Sequence, residues 1–130
     1  MAKSPPGRSV GQIAIVDDDA PTRVALARLL RAHGIACQAY SSARDFLASL
    51  PSATPACLIV DVDMPEMSGL DLQVALLKLG IHIPTVVITG VPDESVAARA
   101  ASLGAHTLLS KPVGRDALMA AIDSAIGRRS

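Results

Sequence analysis

Aromatic side chains are nearly missing from this chain. Tryptophan is absent, and Tyr40 and Phe46 are the only tyrosine and phenylalanine in 130 residues. Any core must therefore be assembled from Ala, Val, Leu and Ile. Net charge is missing as well, since 12 basic residues balance 12 acidic ones. That argues against a polyanion-binding surface, and so against direct nucleic-acid binding. No stretch reaches the ~18 apolar residues of a membrane span. Cysteine occurs only at 37 and 57. Each lies in an apolar run without a second ligand at metal-site spacing, so both read as buried, reduced, inert side chains. There is no Gly-rich phosphate loop, which speaks against a bound nucleotide. No serine, cysteine or histidine stands out as a nucleophile.

At 130 residues the chain is long enough for one domain with an ordinary core. Residues 1–12 carry Lys3, Arg8, two prolines and two glycines with no apolar run of signal-peptide length after them. They read as a disordered N-terminal arm, and the expected location is cytoplasmic. Residues 13–127 form the domain and 128–130 a short tail.

What is present is a repeating order. Ile13–Val16 is a short apolar run ending at Asp17-Asp18-Asp19. A helix follows, with Asp19 as cap, Pro21 in its first turn and Gly34 at its end. A strand over Ile35–Tyr40 precedes a short helix capped by Ser42. Leu58–Val60 is an unbroken apolar run that stops at Asp61, with Pro65 and Gly69 just beyond, so it reads as a strand buried on both faces. Ser68 caps the next helix, in which Leu70, Val74 and Leu77 recur at helical spacing up to Gly80. Pro84–Thr89 is a buried strand with proline at its first position. Asp93–Leu103 is helical, His106–Leu109 is a short strand, and Arg115–Ile126 is the last helix.

Five strand–helix units with short connections predict an α/β domain. The expected architecture is a five-stranded, doubly wound parallel sheet of the (βα)5 flavodoxin-like kind, with strand order 2-1-3-4-5. In that order the carboxyl ends of all strands share one edge. Asp17 and Asp18 end the first strand, Asp61 the third, Thr89 and Gly90 the fourth, and Lys111 follows the fifth. Alone, Asp61 could equally start a turn or cap a helix. Three converging carboxylates, however, repel one another, and a hard cation such as Mg²⁺ relieves this. A lysine can pair with Asp61 at rest and with a phosphoryl group later. A hydroxyl followed by a glycine N–H supplies two more donors. Asp61 is then the nucleophile placed beside a cation, and carboxylates do form acyl phosphates.

These motifs resemble the receiver domain of bacterial response regulators over residues 13–126. The matching segments are Ile-Val-Asp-Asp-Asp (15–19), Ile-Val-Asp-Val-Asp-Met-Pro-Glu-Met-Ser-Gly (59–69), Val-Ile-Thr-Gly (87–90) and Ser-Lys-Pro-Val (110–113). The Leu-Arg-Ala-His-Gly at 30–34 and the Pro-Thr-Val-Val-Ile-Thr-Gly at 84–90 are most similar to receivers of the FixJ type. The resemblance implies that Asp61 is the phosphoacceptor and that Asp18 and Asp17 hold Mg²⁺ together with Asp61 and the Asp63 backbone carbonyl. It implies that Thr89, Gly90 and Lys111 take phosphoryl oxygens, and that the Lys111–Pro112 bond is cis. The implied partners are a sensor histidine kinase or phosphotransfer protein and a downstream protein, with homodimerisation through the fourth and fifth strand–helix units. The domain would signal without being an enzyme in the usual sense. The Met-Ala-Lys-Ser start and the short stretch after Ile126 suggest a stand-alone receiver.

The sequence departs from the family at Leu108, where Tyr or Phe is frequent, and at Val113, where Phe is common. Leu108 can repack but cannot act as a ring switch. Asp63 and Val91 occupy positions where the family tunes the lifetime of the aspartyl phosphate. His33, His82 and His106 read as structural or exposed, and Met64 and Met67 as packing. Arg23, Arg28 and Arg31 read either as a solvated face or as a docking face for the kinase. Two other readings remain. Asp61-Val-Asp63 fits the Asp-x-Asp of haloacid-dehalogenase-type phosphatases, although that motif usually closes a first strand. A degenerate receiver serving only as an interaction module would lack the complete acidic, threonine and lysine set found here.

Overall fold

The computed structural model describes residues 12–50 and 54–127. The expected N-terminal arm before Gln12, residues 51–53 of the loop before the third strand, and the tail at 128–130 lie outside them. Strands and helices alternate as β1 (Ile13–Val16), α1 (Ala20–Ala32), β2 (Cys37–Tyr40), α2 (Ala43–Ser49), β3 (Cys57–Asp61), α3 (Gly69–Leu79), β4 (Thr85–Thr89), α4 (Glu94–Ser102), β5 (Ala105–Ser110) and α5 (Arg115–Ala125). All neighbouring strands are parallel, and their order is β2-β1-β3-β4-β5. This is the order read from the sequence.

The two faces of the sheet explain its composition. Ile13, Ile15, Ile59, Val86 and Ile88 point to α1 and α5, where Leu26, Leu30, Leu118 and Ile122 meet them. Ala14, Val16, Leu58, Val60 and Val87 point the other way, against Phe46, Leu72, Leu76 and Ala100. Every residue of β1, β3 and β4 is buried, as a parallel strand covered on both faces must be. Each fully buried branched side chain contributes about 1.5–3 kcal/mol. Cys37 and Cys57 are buried and unpaired, and burial pushes the Cys57 thiol up to about 12, so it stays protonated and inert.

Capping follows the sequence closely. Asp19, Ser42 and Ser68 accept from Thr22, Asp45 and Asp71 backbone N–H groups, and Ser68 with Asp71 completes a capping box. Gly80 ends α3 in the left-handed conformation at φ 72°.

Three expectations need correction. The buried stripe of α3 is Leu72, Gln73 and Leu76; of Leu70, Val74 and Leu77, which recur at helical spacing, Leu70 packs half-buried against the core and Leu77 is 48% exposed. The segment Gly-Leu-Asp-Leu-Gln-Val-Ala-Leu-Leu carries two apolar stripes at helical spacing, and packing against α4 selects one. Gln73 supplies that contact, donating from Nε2 to the Ala100 carbonyl at 3.2 Å. Secondly, β2 begins at Cys37, not Ile35. The Ile35 N–H instead bonds to the Leu30 carbonyl at the end of α1. As an edge strand, β2 leaves Ala39 exposed. Thirdly, β5 runs from Ala105 to Ser110, one residue longer at each end than His106–Leu109, and it carries an irregularity at His106. Thr85 pairs with Ala105 and Val86 with Thr107, so His106 bulges out of register. It is exposed and meets Ser124 Oγ through Nε2 at 2.7 Å.

Candidate phosphoryl and metal site

The carboxyl ends of β1, β3, β4 and β5 bring the candidate residues together. Asp17 follows β1 and is fully buried, with its N–H bonded to the Tyr40 carbonyl at 3.1 Å. Its Oδ1 accepts the Asp19 N–H at 2.8 Å, while Oδ2 faces the Lys111 ammonium at 3.2 Å. Asp61 closes β3, is 1% exposed, and stands 3.5 Å from the same ammonium through Oδ1. Asp18 is exposed, yet one oxygen from each of Asp17, Asp18 and Asp61 lies within 4.8 Å of the others. Lys111 reaches the site because β5 pairs with β4 up to Thr89↔Ser110, and the Lys111 N–H then bonds to the Thr89 carbonyl at 2.8 Å. The Lys111–Pro112 bond is cis, as the resemblance implied.

The electrostatics are those of an overfilled anionic pocket. Burial, and after it the Asp17 charge, pushes the Asp61 carboxyl up to about 6, against the pull of Lys111. Burial disfavours the Lys111 ammonium, but the two carboxylates outweigh it and hold its proton more tightly than an ordinary lysine would. Asp17 Oδ2 is buried and has no hydrogen bond in good geometry beyond that ion pair. Three oxygen donors within reach of one point, one of them underbonded, suit a hard divalent cation.

Thr89 is 1% exposed, and its hydroxyl is held between the Val91 N–H and carbonyl, each at 3.2 Å, with Asp63 Oδ2 at 3.5 Å. The Asp63 N–H bonds to Asp61 Oδ1 at 3.3 Å. Gly90 is exposed beside them, and adding a Cβ there would meet nothing within 4 Å. Leu108 is half-buried and lines a shallow cleft of about 240 Å³ with Pro92, Asp93, Glu94 and Ala97.

Two contacts were not anticipated from the sequence. Arg23 is not part of a solvated face, because its Nη1 donates to the Asp17 carbonyl at 2.7 Å. A signal for this existed: long side chains on a helix lean towards its N-terminus, and Arg23 is the fourth residue of α1. Gly69 packs directly under the site, where an added Cβ would stand 2.5 Å from the Asp61 carbonyl oxygen.

Comparison with known proteins decides the family. The family model of the response regulator receiver domain matches residues 13–123. The chain belongs to the response regulator receiver family. The response regulator protein TmoT of Ectopseudomonas mendocina is 42% identical over 114 residues, covering 88% of this chain and 52% of that protein. The transcriptional regulatory protein FixJ of Rhizobium meliloti is 39% identical over 113 residues, 87% of this chain and 55% of that protein. The crystal structure of FixJ-N superimposes with a TM-score of 0.84 at 37% identity, covering 92% of this chain and 96% of that one. The FixJ-like character read from residues 30–34 and 84–90 agrees with these relatives. This receiver spans about half the length of the curated relatives it matches. Among the described residues, no helix is long and apolar enough to cross a membrane.

Proposed function

We propose that this receiver accepts a phosphoryl group on Asp61 in a two-component phosphorelay. The observation that carries the reading is the buried Asp61 carboxylate, 3.5 Å from Lys111 and clustered with Asp17 and Asp18. An Asp61 oxygen forms the new P–O bond while the donor's bond to phosphorus breaks. The donor is a phosphohistidine of a sensor kinase or phosphotransfer protein, or a small acyl phosphate, and its leaving atom keeps the electron pair. Asp17, Asp18, Asp61 and the Asp63 carbonyl would hold Mg²⁺. Bound there, the ion would offset the negative charge of the carboxylates and of the incoming phosphoryl oxygens. Lys111, the Thr89 hydroxyl and the Gly90 N–H take those oxygens. Positioning and charge neutralisation account for most of the catalysis.

The transferred charge biases a pre-existing equilibrium between two conformations. At rest the Thr89 hydroxyl is engaged by Val91, so binding phosphoryl oxygen requires it to leave that turn. The change is carried into β4–α4 and β5–α5, which would form the surface for a downstream partner or a second copy. Leu108 takes the place of a ring in that relay, so the response there rests on repacking. The phosphatase reading is set aside because Asp61 closes β3, not β1, within a receiver fold. The complete acidic, threonine and lysine set disfavours the degenerate reading.

The test is labelling by acetyl phosphate with Mg²⁺. The expected result is one labile phosphoryl group per chain, lost in Asp61→Asn. Equal labelling of that variant, or repeated turnover of a phosphomonoester by the wild type, would sink the proposal.

A further inference from the structure

The loop that carries Asp17 and Asp18 is short, and a side chain from outside it, Arg23, holds its backbone. The Arg23 N–H donates to the Asp19 carbonyl at 2.9 Å as the first helical bond of α1, and Arg23 Nη1 donates to the Asp17 carbonyl at 2.7 Å. A single residue thus grips both ends of the Asp17–Asp19 segment. The remaining polar groups of Asp17 are committed elsewhere: its N–H to Tyr40, Oδ1 to the Asp19 N–H and Oδ2 to Lys111. Its carbonyl is the one backbone acceptor of the residue, and a charged donor holds it. Arg23 is half-buried, in contrast to exposed Arg28 and Arg31 on the same helix.

The geometry points to Arg23 as a positioning residue for the metal-ligating loop: through the Asp17 carbonyl it fixes the direction in which the Asp17 and Asp18 carboxylates face Asp61. The inference rests on the proposed Mg²⁺ site. Two effects of Arg23 on cation affinity oppose each other. As a positive charge near the cluster, Arg23 repels Mg²⁺. As a tether, it spares the loop the entropy of ordering its carboxylates when the ion arrives. Partners that orient metal ligands are commonly worth about 10–100-fold in affinity, so positioning is expected to win. The sign of the change on removing Arg23 therefore separates the two roles.

The experiment measures Mg²⁺ affinity by calorimetry, and the Asp17 carbonyl ¹³C shift without metal, for wild type, Arg23→Ala, Arg23→Lys and Arg28→Ala. In Arg23→Ala the dissociation constant should rise about tenfold or more. The Asp17 carbonyl resonance should move upfield as its charged hydrogen bond is lost. Arg23→Lys, which keeps a charged donor, should recover most of both, and Arg28→Ala should change neither. An Arg23→Ala constant equal to or below that of wild type would overturn the inference, as would an unmoved carbonyl resonance. Should Arg23→Ala not fold, Arg23→Lys and Arg23→Gln are compared in the same way, and equal constants for both and for wild type overturn it. If the wild type bound no Mg²⁺ the proposed function would fall, while the carbonyl shift would still decide whether Arg23 holds the loop.

Discussion

Gly69 and the carbonyl of Asp61 are packed so closely that nothing larger than hydrogen fits between them. A Cβ at 69 would lie 2.5 Å from the carbonyl oxygen and 3.3 Å from the Val60 side chain. Since Gly69 is the first residue of α3, the helix is seated directly on the strand end that bears the candidate phosphoacceptor. Gly69→Ala would gain up to ~1 kcal/mol of helix propensity. Overpacking against backbone costs roughly 3 kcal/mol, so the net expectation is a loss of about 2 kcal/mol. Urea unfolding measures it, and labelling by acetyl phosphate should fall with it because Asp61 is displaced.

Asp61 makes the metal-free protein less stable as pH rises. Its carboxyl lies at about 6 when folded, against 3.8 for the ordinary group. Between those values the folded chain holds a proton that the unfolded chain has released. Stability therefore falls as pH rises from about 4 through 6 and levels off above. Asp61→Asn should remove that slope and raise stability at pH 8 by on the order of 2 kcal/mol in chelator. Cation binding expels the same proton, so Mg²⁺ affinity should increase through the same pH window. Thermal unfolding across pH, with and without Mg²⁺, tests both statements.

Lys111 should behave in the opposite way. Replacing it with methionine leaves Asp17 and Asp61 buried without their cation, and losing one partner of such a pair costs about 3 kcal/mol or more. The same change removes a competitor for the carboxylates, so Mg²⁺ should bind more tightly and restore much of the lost stability. If the proposed function holds, phosphoryl transfer should still decline, because Lys111 would no longer be there to take a phosphoryl oxygen. Melting temperatures in chelator and in Mg²⁺, alongside acetyl phosphate labelling, separate these effects.

Glu66 has φ at 66°, a conformation that suits glycine, in the loop between β3 and α3. Glu66→Gly should stabilise the protein by about 0.5–1 kcal/mol, the steric cost of a Cβ there less the added freedom of the unfolded chain. Chemical denaturation would show it, and an equal or lower midpoint would count against the strain.

The sheet and most of the site were legible because apolar runs end abruptly in polar residues. Ile13–Val16 stops at Asp17, Leu58–Val60 at Asp61, and Val86–Ile88 at Thr89. Parallel order then places those ends side by side without further information. Gly69 was harder to read because its role depends on an approach distance between segments, which no local pattern encodes, and for Arg23 the one signal was its place in the first turn of α1. The rotation of α3 was ambiguous for another reason. Its apolar residues satisfy two faces equally, and only Gln73 reaching the Ala100 carbonyl distinguishes them. The His106 bulge likewise appears only when β5 is laid against β4.

Lys111 comes just after the last strand, and this bears on how the chain is made. A nascent polypeptide that ends before β5 already contains β1, β3 and β4. Such an intermediate must bring Asp17, Asp18 and Asp61 to one edge with no ammonium to meet them. Partial folding would be self-limiting at neutral pH and low divalent cation, and completion of β5 would release the restraint. Fragments lacking β5 and α5 should accordingly gain structure on acidification or on adding Mg²⁺, measurable by circular dichroism as the chain is lengthened residue by residue through Lys111.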